Sequence, residues 1–289
     1  MTLTYREFSD PVAYAAAVQP FLMEREAEHC LMLGLTETLA RPESSYTDRN
    51  HLALVEEDGK VRGALLMTPP FGPVVSNMDD PALIQMLAEG MLRAGRDAPT
   101  VFGPAAVSEE FAAIWSARTG QAATMTLHER VYQLTRVQRP ALSPPGAPRA
   151  ATLADRELLL HWMFQFNGEA FGAGSPEANR AELAIDSRLR DSASGFLIWE
   201  DEQPVALTGY CDPTPNGIRI GPVYTPEPFR GRGYASALTA ELAQRLLDWG
   251  HTFAFLFTDV SNPISNHVYR KIGFEPVTDF QLWAFARRA

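Results

Sequence analysis

Val223-Tyr224-Thr225-Pro226-Glu227-Pro228-Phe229-Arg230-Gly231-Arg232-Gly233-Tyr234-Ala235-Ser236-Ala237-Leu238 is the stretch on which the reading of this chain turns. Before it, Gly217-Ile218-Arg219-Ile220-Gly221-Pro222-Val223 alternates as a strand does. After it, apolar residues recur at Tyr234, Leu238, Leu242, Leu246 and Trp249, the spacing of one helix face. A glycine- and arginine-rich turn therefore joins a strand to a helix. The first turn of a helix carries unpaired amides and partial positive charge, and so attracts anions. Gly231 and Gly233 clear side chains from the turn, while Arg230 and Arg232 add donors and charge. The physical reading is a cradle for a diphosphate.

Composition narrows the class. The chain has 289 residues, 46% hydrophobic and 21% charged, enough for two ordinary globular domains. A net charge of -10 argues against a nucleic-acid surface and makes the two arginines of the turn a local exception. Cys30 and Cys211, the only cysteines, exclude a disulfide framework and a cysteine zinc site. His161, His251 and His267 show no metal-ligand spacing, so no metal is expected. The N-terminus does not read as a signal peptide, and no stretch approaches the about 18 apolar residues of a membrane span. A soluble cytoplasmic protein with no membrane partner is expected.

Along the chain, residues 10–40 read as one helix opened by Asp10-Pro11. Two apolar runs flank Asp58-Gly59 as a hairpin. Asp80-Pro81 opens another helix, and a further helix is expected from Ser108 to Arg118, closing at Gly120. The run 139–149, with four prolines, reads as an exposed linker between a domain at 1–138 and one at 150–289. The second domain reads as a strand, two helices, a hairpin turning at Asp201-Glu202-Gln203, the strand before the turn, and the long helix. A buried strand at 252–258, a helix and a last pair of strands, 274–277 and 280–286, close it. Hairpins followed by interleaved helices and strands predict a mixed, partly parallel α/β sheet. The first domain shows a blurred version of this order. At the position of Arg230–Ala235 it carries Asn77-Met78-Asp79-Asp80-Pro81-Ala82, whose acids would repel a phosphate.

A second motif follows: Asn262-Pro263-Ile264-Ser265-Asn266-His267-Val268-Tyr269-Arg270-Lys271-Ile272-Gly273-Phe274. Asn262 suits the cap, Pro263 the first helical position and Gly273 the exit. Ile264, Val268 and Ile272 are expected to face the core, with Asn262, Asn266 and Tyr269 on another side.

Arg230-x-x-Gly233-x-Ala235 resembles the acyl-CoA pyrophosphate loop of the GNAT acetyltransferase superfamily, and the 262–274 helix resembles its second motif. The resemblance covers about 149–289, and 1–138 in outline. It implies tandem GNAT-like domains, the first degenerate and without its cofactor loop. It also implies acetyl-CoA as co-substrate and an N-acetyltransferase in which a primary amine, of a small molecule or a peptide, attacks the thioester directly. By the resemblance, Val223, Tyr224 and Thr225 would meet the pantetheine arm or polarise the thioester carbonyl. Gly231, Arg232, Gly233, Tyr234, Ala235 and Ser236, with Arg230, would hold the pyrophosphate. Asn262 would bond the pantetheine or order the splayed strand, and Tyr269 would give a proton to the thiolate. The chain departs from the family pattern where many relatives place a glutamate, since that strand reads Arg219-Ile220-Gly221-Pro222-Val223. A water relay, Glu169, Asp212 and Glu227 all stay open as the base, and a monomer and a homodimer are both compatible. The alternative reading is a non-catalytic acyl-CoA sensor or partner-binding module. The run His161 to Phe166 and Phe171 reads as core packing, or as a wall of the acceptor pocket.

Overall fold

A computed structural model describes residues 2–41, 49–140, 143–172, 176–191 and 193–286, with the side chains of 171 and 176–181 outside that description. The first half of the chain runs β1 (Leu3–Phe8), α1 (Pro11–Met23), α2 (Cys30–Ala40), β2 (His51–Glu57), β3 (Lys60–Met67), β4 (Pro73–Val75), α3 (Pro81–Arg93), β5 (Thr100–Pro104), α4 (Ala105–Thr119) and β6 (Ala122–Leu134). The second half runs β7 (Ala147–Ala150), α5 (Arg156–Phe171), α6 (Pro176–Arg188), β8 (Gly195–Asp201), β9 (Gln203–Cys211), β10 (Gly217–Tyr224), α7 (Tyr234–Asp248), β11 (Phe253–Asp259), α8 (Pro263–Ile272) and β12 (Glu275–Ala286). Apart from the 3-10 turns Leu153–Asp155 and Glu227–Phe229, the second half repeats the order of the first. By packing, Met1–Val131, Asp259–Ser261 and Val277–Ala289 form one compact unit, and Tyr132–Thr258 with Asn262–Pro276 the other.

In the first unit β1, β2, β3 and β4 pair antiparallel, β4 pairs parallel with β5, and β12 runs antiparallel to β5. In the second, β7, β8, β9 and β10 pair antiparallel and β10 pairs parallel with β11. These are mixed sheets flanked by helices, as the pattern of elements predicts. Alternation along the strands divides each sheet between two layers of helices. In the first unit Ala53, Val55, Leu65 and Met67 pack with α3 and α4, while Leu52, Leu54, Ala64 and Leu66 pack with α1 and α2. In the second, Leu197 and Trp199 of β8 join Leu238, Leu242 and Leu246 of α7, and Phe196 and Ile198 join Leu159, Trp162 and Met163 of α5.

The punctuation residues act as their chemistry predicts. Asp58 (φ 49°) and Gly59 (φ 80°) turn the β2–β3 hairpin, and Glu202 (φ 59°) turns β8–β9. Gly120 and Gly273 leave α4 and α8 in the left-handed region. Other expectations are corrected. Residues 10–40 are two helices: His29 folds back so that its Nδ1 lies 2.9 Å from the Leu22 carbonyl, closing α1. The alternation Leu3–Phe8, not read above, is β1. Residues 274–277 and 280–286 are not a pair: β12 is one strand, and the charge at its middle, Asp279, is held by Arg130 at 2.5 and 2.8 Å. Within 139–149, Ala147–Arg149 already belong to the edge strand β7, where Pro148 is tolerated.

Candidate functional site

Four segments build the site within the second unit: the end of β10, the turn 225–233, the start of α7, and α8. Parallel pairing of β10 with β11 covers Gly217–Arg219 and Phe253–Phe255. Beyond Arg219, β10 continues to Tyr224 and β11 to Asp259 without that pairing, so the two strands part. The register between β9 and β10 shifts between Ile220 and Val223, at Gly221-Pro222, where proline has no amide to give the ladder. The Gly221 carbonyl instead accepts from Arg188 Nη1 of α6 at 3.0 Å. A β-sheet whose parallel strands separate exposes backbone donors and acceptors on the facing edges, and an extended ligand can take them.

The turn ends in an open helix start. Gly231 (φ 76°) and Gly233 (φ 87°) both adopt the left-handed conformation, and a Cβ on either would meet nothing within 4 Å. Gly233 is the cap position of α7, and no side chain caps that helix. The first-turn amides at Tyr234, Ala235 and Ser236 thus lie beside a glycine-bared turn, which fits an anionic diphosphate. The Tyr234 side chain is buried and its hydroxyl donates to Asp201 Oδ2 at 2.5 Å, so this residue offers the turn its backbone rather than its ring. Ala235 and Ser236 are half-buried.

The arginines are placed less freely than the sequence implies. Arg230 Nε donates to the Thr225 carbonyl at 2.8 Å, and its Nη2 lies 2.8 Å from both carboxylate oxygens of Glu169 on α5. Arg232 Nη2 donates to the Pro228 carbonyl at 3.1 Å, with its guanidinium 5.9 Å from the Phe229 ring. Both remain exposed at the mouth of the turn. Of the three β10-end residues, Val223 is half-buried, and Tyr224 is buried with its hydroxyl donating to Gln165 Oε1 at 3.1 Å and lying 3.5 Å from Glu169 Oε1. The Thr225 hydroxyl oxygen is buried and has no partner among the described residues.

On α8, Asn262 caps the helix by accepting from the Ser265 amide at 3.1 Å, so its side-chain oxygen is already engaged. Asn266 donates to the Asn262 carbonyl at 2.6 Å and accepts from the Tyr132 hydroxyl at 3.0 Å, and that hydroxyl also accepts from Arg270 Nε at 3.2 Å. Tyr269 is 8% exposed and packs edge-on against Phe274, with ring centroids 5.8 Å apart. Burial pushes its phenol up to about 12, so it holds its proton through neutral pH. The expected core stripe of α8 is corrected at its first member: Ile264 is 76% exposed, because the first turn projects past the core and Tyr269 and Ile272 do the burying. Tyr234, Leu238, Tyr269 and Ile272 belong to one packed cluster, which brings the start of α7 and the C-terminal half of α8 onto a common core.

Of the residues left open as a base, Glu169 is ion-paired with Arg230, Asp212 lies 2.5 Å from Arg219, and Glu227 is exposed. In the aromatic run, Trp162 and Met163 are buried and Phe164 is 70% exposed. Phe166 packs edge-on against Tyr224, while the Phe171 side chain lies outside the described residues. The contacts Glu169–Arg230, Asp201–Tyr234 and Tyr132–Asn266 join residues far apart in sequence and carry no local signal. Among the described residues no group of His, Cys, Asp and Glu is arranged to hold a metal, and no helix is long and apolar enough to cross a membrane.

Residues 156–274 match the Acetyltransferase (GNAT) family. No curated protein matches the chain. Among solved structures, a GCN5-related N-acetyltransferase from Sphaerobacter thermophilus is 20% identical, with a TM-score of 0.62, covering 99% of this chain and 96% of that one. A tandem GNAT protein from the clavulanic acid biosynthesis pathway is 13% identical with a TM-score of 0.59, and the match covers 100% of both chains. A GNAT-family acetyltransferase from Colwellia psychrerythraea is 10% identical with a TM-score of 0.60, covering 99% of this chain and 100% of that one. The whole chain thus shares the fold of a tandem GNAT protein, and its second half, over residues 156–274, matches the GNAT acetyltransferase family.

Proposed function

We propose that the second domain transfers an acetyl group from acetyl-CoA to a primary amine by direct attack in a ternary complex. The observation that carries this reading is the uncapped start of α7 behind Gly231 and Gly233, set at the end of a strand that has parted from its parallel neighbour. Backbone amides of the turn and of Tyr234, Ala235 and Ser236 hold the diphosphate, with Arg232 at the mouth. The freed edge of β10 at Val223–Thr225 pairs with the pantetheine arm, and an amide there donates to the thioester oxygen as negative charge grows on it. Acetyl-CoA supplies the activated acyl group. The nitrogen lone pair of the neutral amine forms the new C–N bond, the C–S bond breaks, and Tyr269 donates its proton to the departing thiolate. The surplus proton on nitrogen leaves to water, from which the phenol is reprotonated. A phenol held near 12 is a weak acid, and its value here is that it is reliably protonated when the thiolate forms. Asn262 and Asn266 keep α8, and with it Tyr269, in register.

The test is thiol release from acetyl-CoA by purified protein, screened against primary amines including 1,4-diaminobutane, benzylamine and a lysine-containing peptide. Amine-dependent release that stops on substituting Tyr269 with Phe supports the reading. Saturable acetyl-CoA binding with no release for any amine would replace the enzyme by an acyl-CoA sensor.

A further inference from the structure

Arg230 pairs with one anion, Glu169, and borders the turn proposed above to hold another. Its guanidinium grips the Glu169 carboxylate with both oxygens 2.8 Å from Nη2, and its backbone opens the turn that ends at Gly233. A diphosphate seated in that turn is a second, more highly charged partner for the same cation. Glu169 itself has a second neighbour: Oε1 lies 3.5 Å from the Tyr224 hydroxyl, which is bonded to Gln165 Oε1 at 3.1 Å. Tyr224 is the last residue of β10, on the side where β10 and β11 have separated. Trp162 and Phe166 flank its ring at centroid distances of 6.4 and 6.5 Å. A carboxylate, a phenol oxygen and a carboxamide oxygen, backed by aromatic rings, form the chemistry that receives an ammonium group.

We propose that Arg230 couples the two substrates: a diphosphate in the glycine turn competes with Glu169 for its guanidinium, and the carboxylate so released binds the cationic amine beside Tyr224. The inference rests on the acyl-CoA reading above and assigns its acceptor class as an amine that arrives protonated and loses that proton to water before its lone pair attacks. It makes Glu169 a specificity residue for the acceptor and a competitor against the cofactor. The ion pair is about half exposed on both sides, with side-chain accessibilities of 45% and 54%, so it is weak enough to exchange.

The sign of one effect separates this device from a mere strut. Glu169→Gln removes the competitor, so acetyl-CoA binding, followed by calorimetry, tightens roughly two- to fivefold. The same variant raises KM for the fastest-turning amine of the screen above. Arg230→Gln weakens acetyl-CoA binding, and in that background Glu169→Gln no longer tightens it, the non-additivity that a shared partner requires. Unchanged or weaker acetyl-CoA binding by Glu169→Gln would overturn the proposal, since a strut that orders the turn loses affinity when cut. If wild-type protein fails to bind acetyl-CoA at all, the parent reading falls first and by its own measurement.

Discussion

Helices α3 and α7 occupy the same place in the repeated order of elements, after the strand β4 in one half and β10 in the other, yet their first turns differ. Asp80 caps α3 by accepting from the Ala82 amide at 2.9 Å, with Asp79 beside it and Pro81 supplying no amide. Gly233 caps α7 with no side chain at all. The first copy satisfies its helix start with its own carboxylate, and the second leaves that start without a side-chain cap. The strand pairs differ in the same sense. A Cβ on Gly103 of β5 would come within 2.5 Å of Val75 Cγ2 and 2.9 Å of the Val75 carbonyl oxygen, and one on Gly72 within 2.0 Å of the Thr100 carbonyl oxygen. Around β4 and β5 the backbone is therefore packed shut. A Cβ on Gly221, at the bulge of β10, would meet nothing. The seventh residue of α4 is Phe111, fully buried, where α8 has Tyr269. An aromatic ring serves the core in both, and only one carries a transferable proton. The lesson is that one fold becomes structural or chemical through a few atoms at helix starts and strand ends, while its core stays common.

That contrast can be broken from either side. The largest effect is expected from Tyr269→Phe, which gives α8 the aromatic residue of α4: kcat should fall roughly 10²- to 10⁴-fold with acetyl-CoA affinity nearly unchanged, read by steady-state kinetics and calorimetry. Equal losses in both would make Tyr269 a binding residue. Next comes Gly233→Asp, which transplants the carboxylate cap of α3 onto α7. Asp tolerates left-handed backbone better than most residues, so the variant should keep its fold while acetyl-CoA binding weakens on the order of 100-fold. A folded variant that binds as wild type would sever the cradle from the cofactor. Asp80→Ala opens α3 instead. It should cost about 1 kcal/mol of stability in denaturant unfolding and create no second acetyl-CoA site, because the β4–β5 edge stays closed.

The smallest effect concerns pH. The folded Tyr269 phenol, near 12, sits above its unfolded value of about 10. The stability it contributes is present below about pH 10 and is lost as pH rises toward about 12. Tyr269→Phe should flatten that part of the alkaline unfolding curve, and an unchanged curve would place the phenol in water. Turnover should show no descending limb from this residue below about pH 11.

Much of the contrast was legible without coordinates. Asp79-Asp80-Pro81 against Gly231-Arg232-Gly233 is a difference in turn chemistry, written in adjacent residues, and local chemistry is what a sequence displays. The same holds for the hairpins, the caps of α3 and α8, and the glycine exits of α4 and α8. The break at Glu24–His29 was not legible, since it depends on His29 reaching the Leu22 carbonyl and accepting from the Asn77 amide at 3.1 Å. Nor was the membership of β12, whose partner β5 is remote in sequence. In the candidate site, the glycines and Tyr269 stand out in the sequence as residue types, whereas the engagement of Arg230 with Glu169 needs the packing of α5 to appear. Tyr132 shows the same limit. It lies in the stretch 1–138 read as the first domain, and its hydroxyl holds Asn266 and Arg270 of α8 in the second unit.

The central claim is that one of the two copies is open and the other closed. Its most direct test is the stoichiometry of acetyl-CoA binding to the full chain by isothermal titration calorimetry. The account predicts one acetyl-CoA per chain, lost in Gly233→Asp and retained in Asp80→Ala. Two per chain, or one that survives Gly233→Asp and disappears with changes at α3, would contradict it.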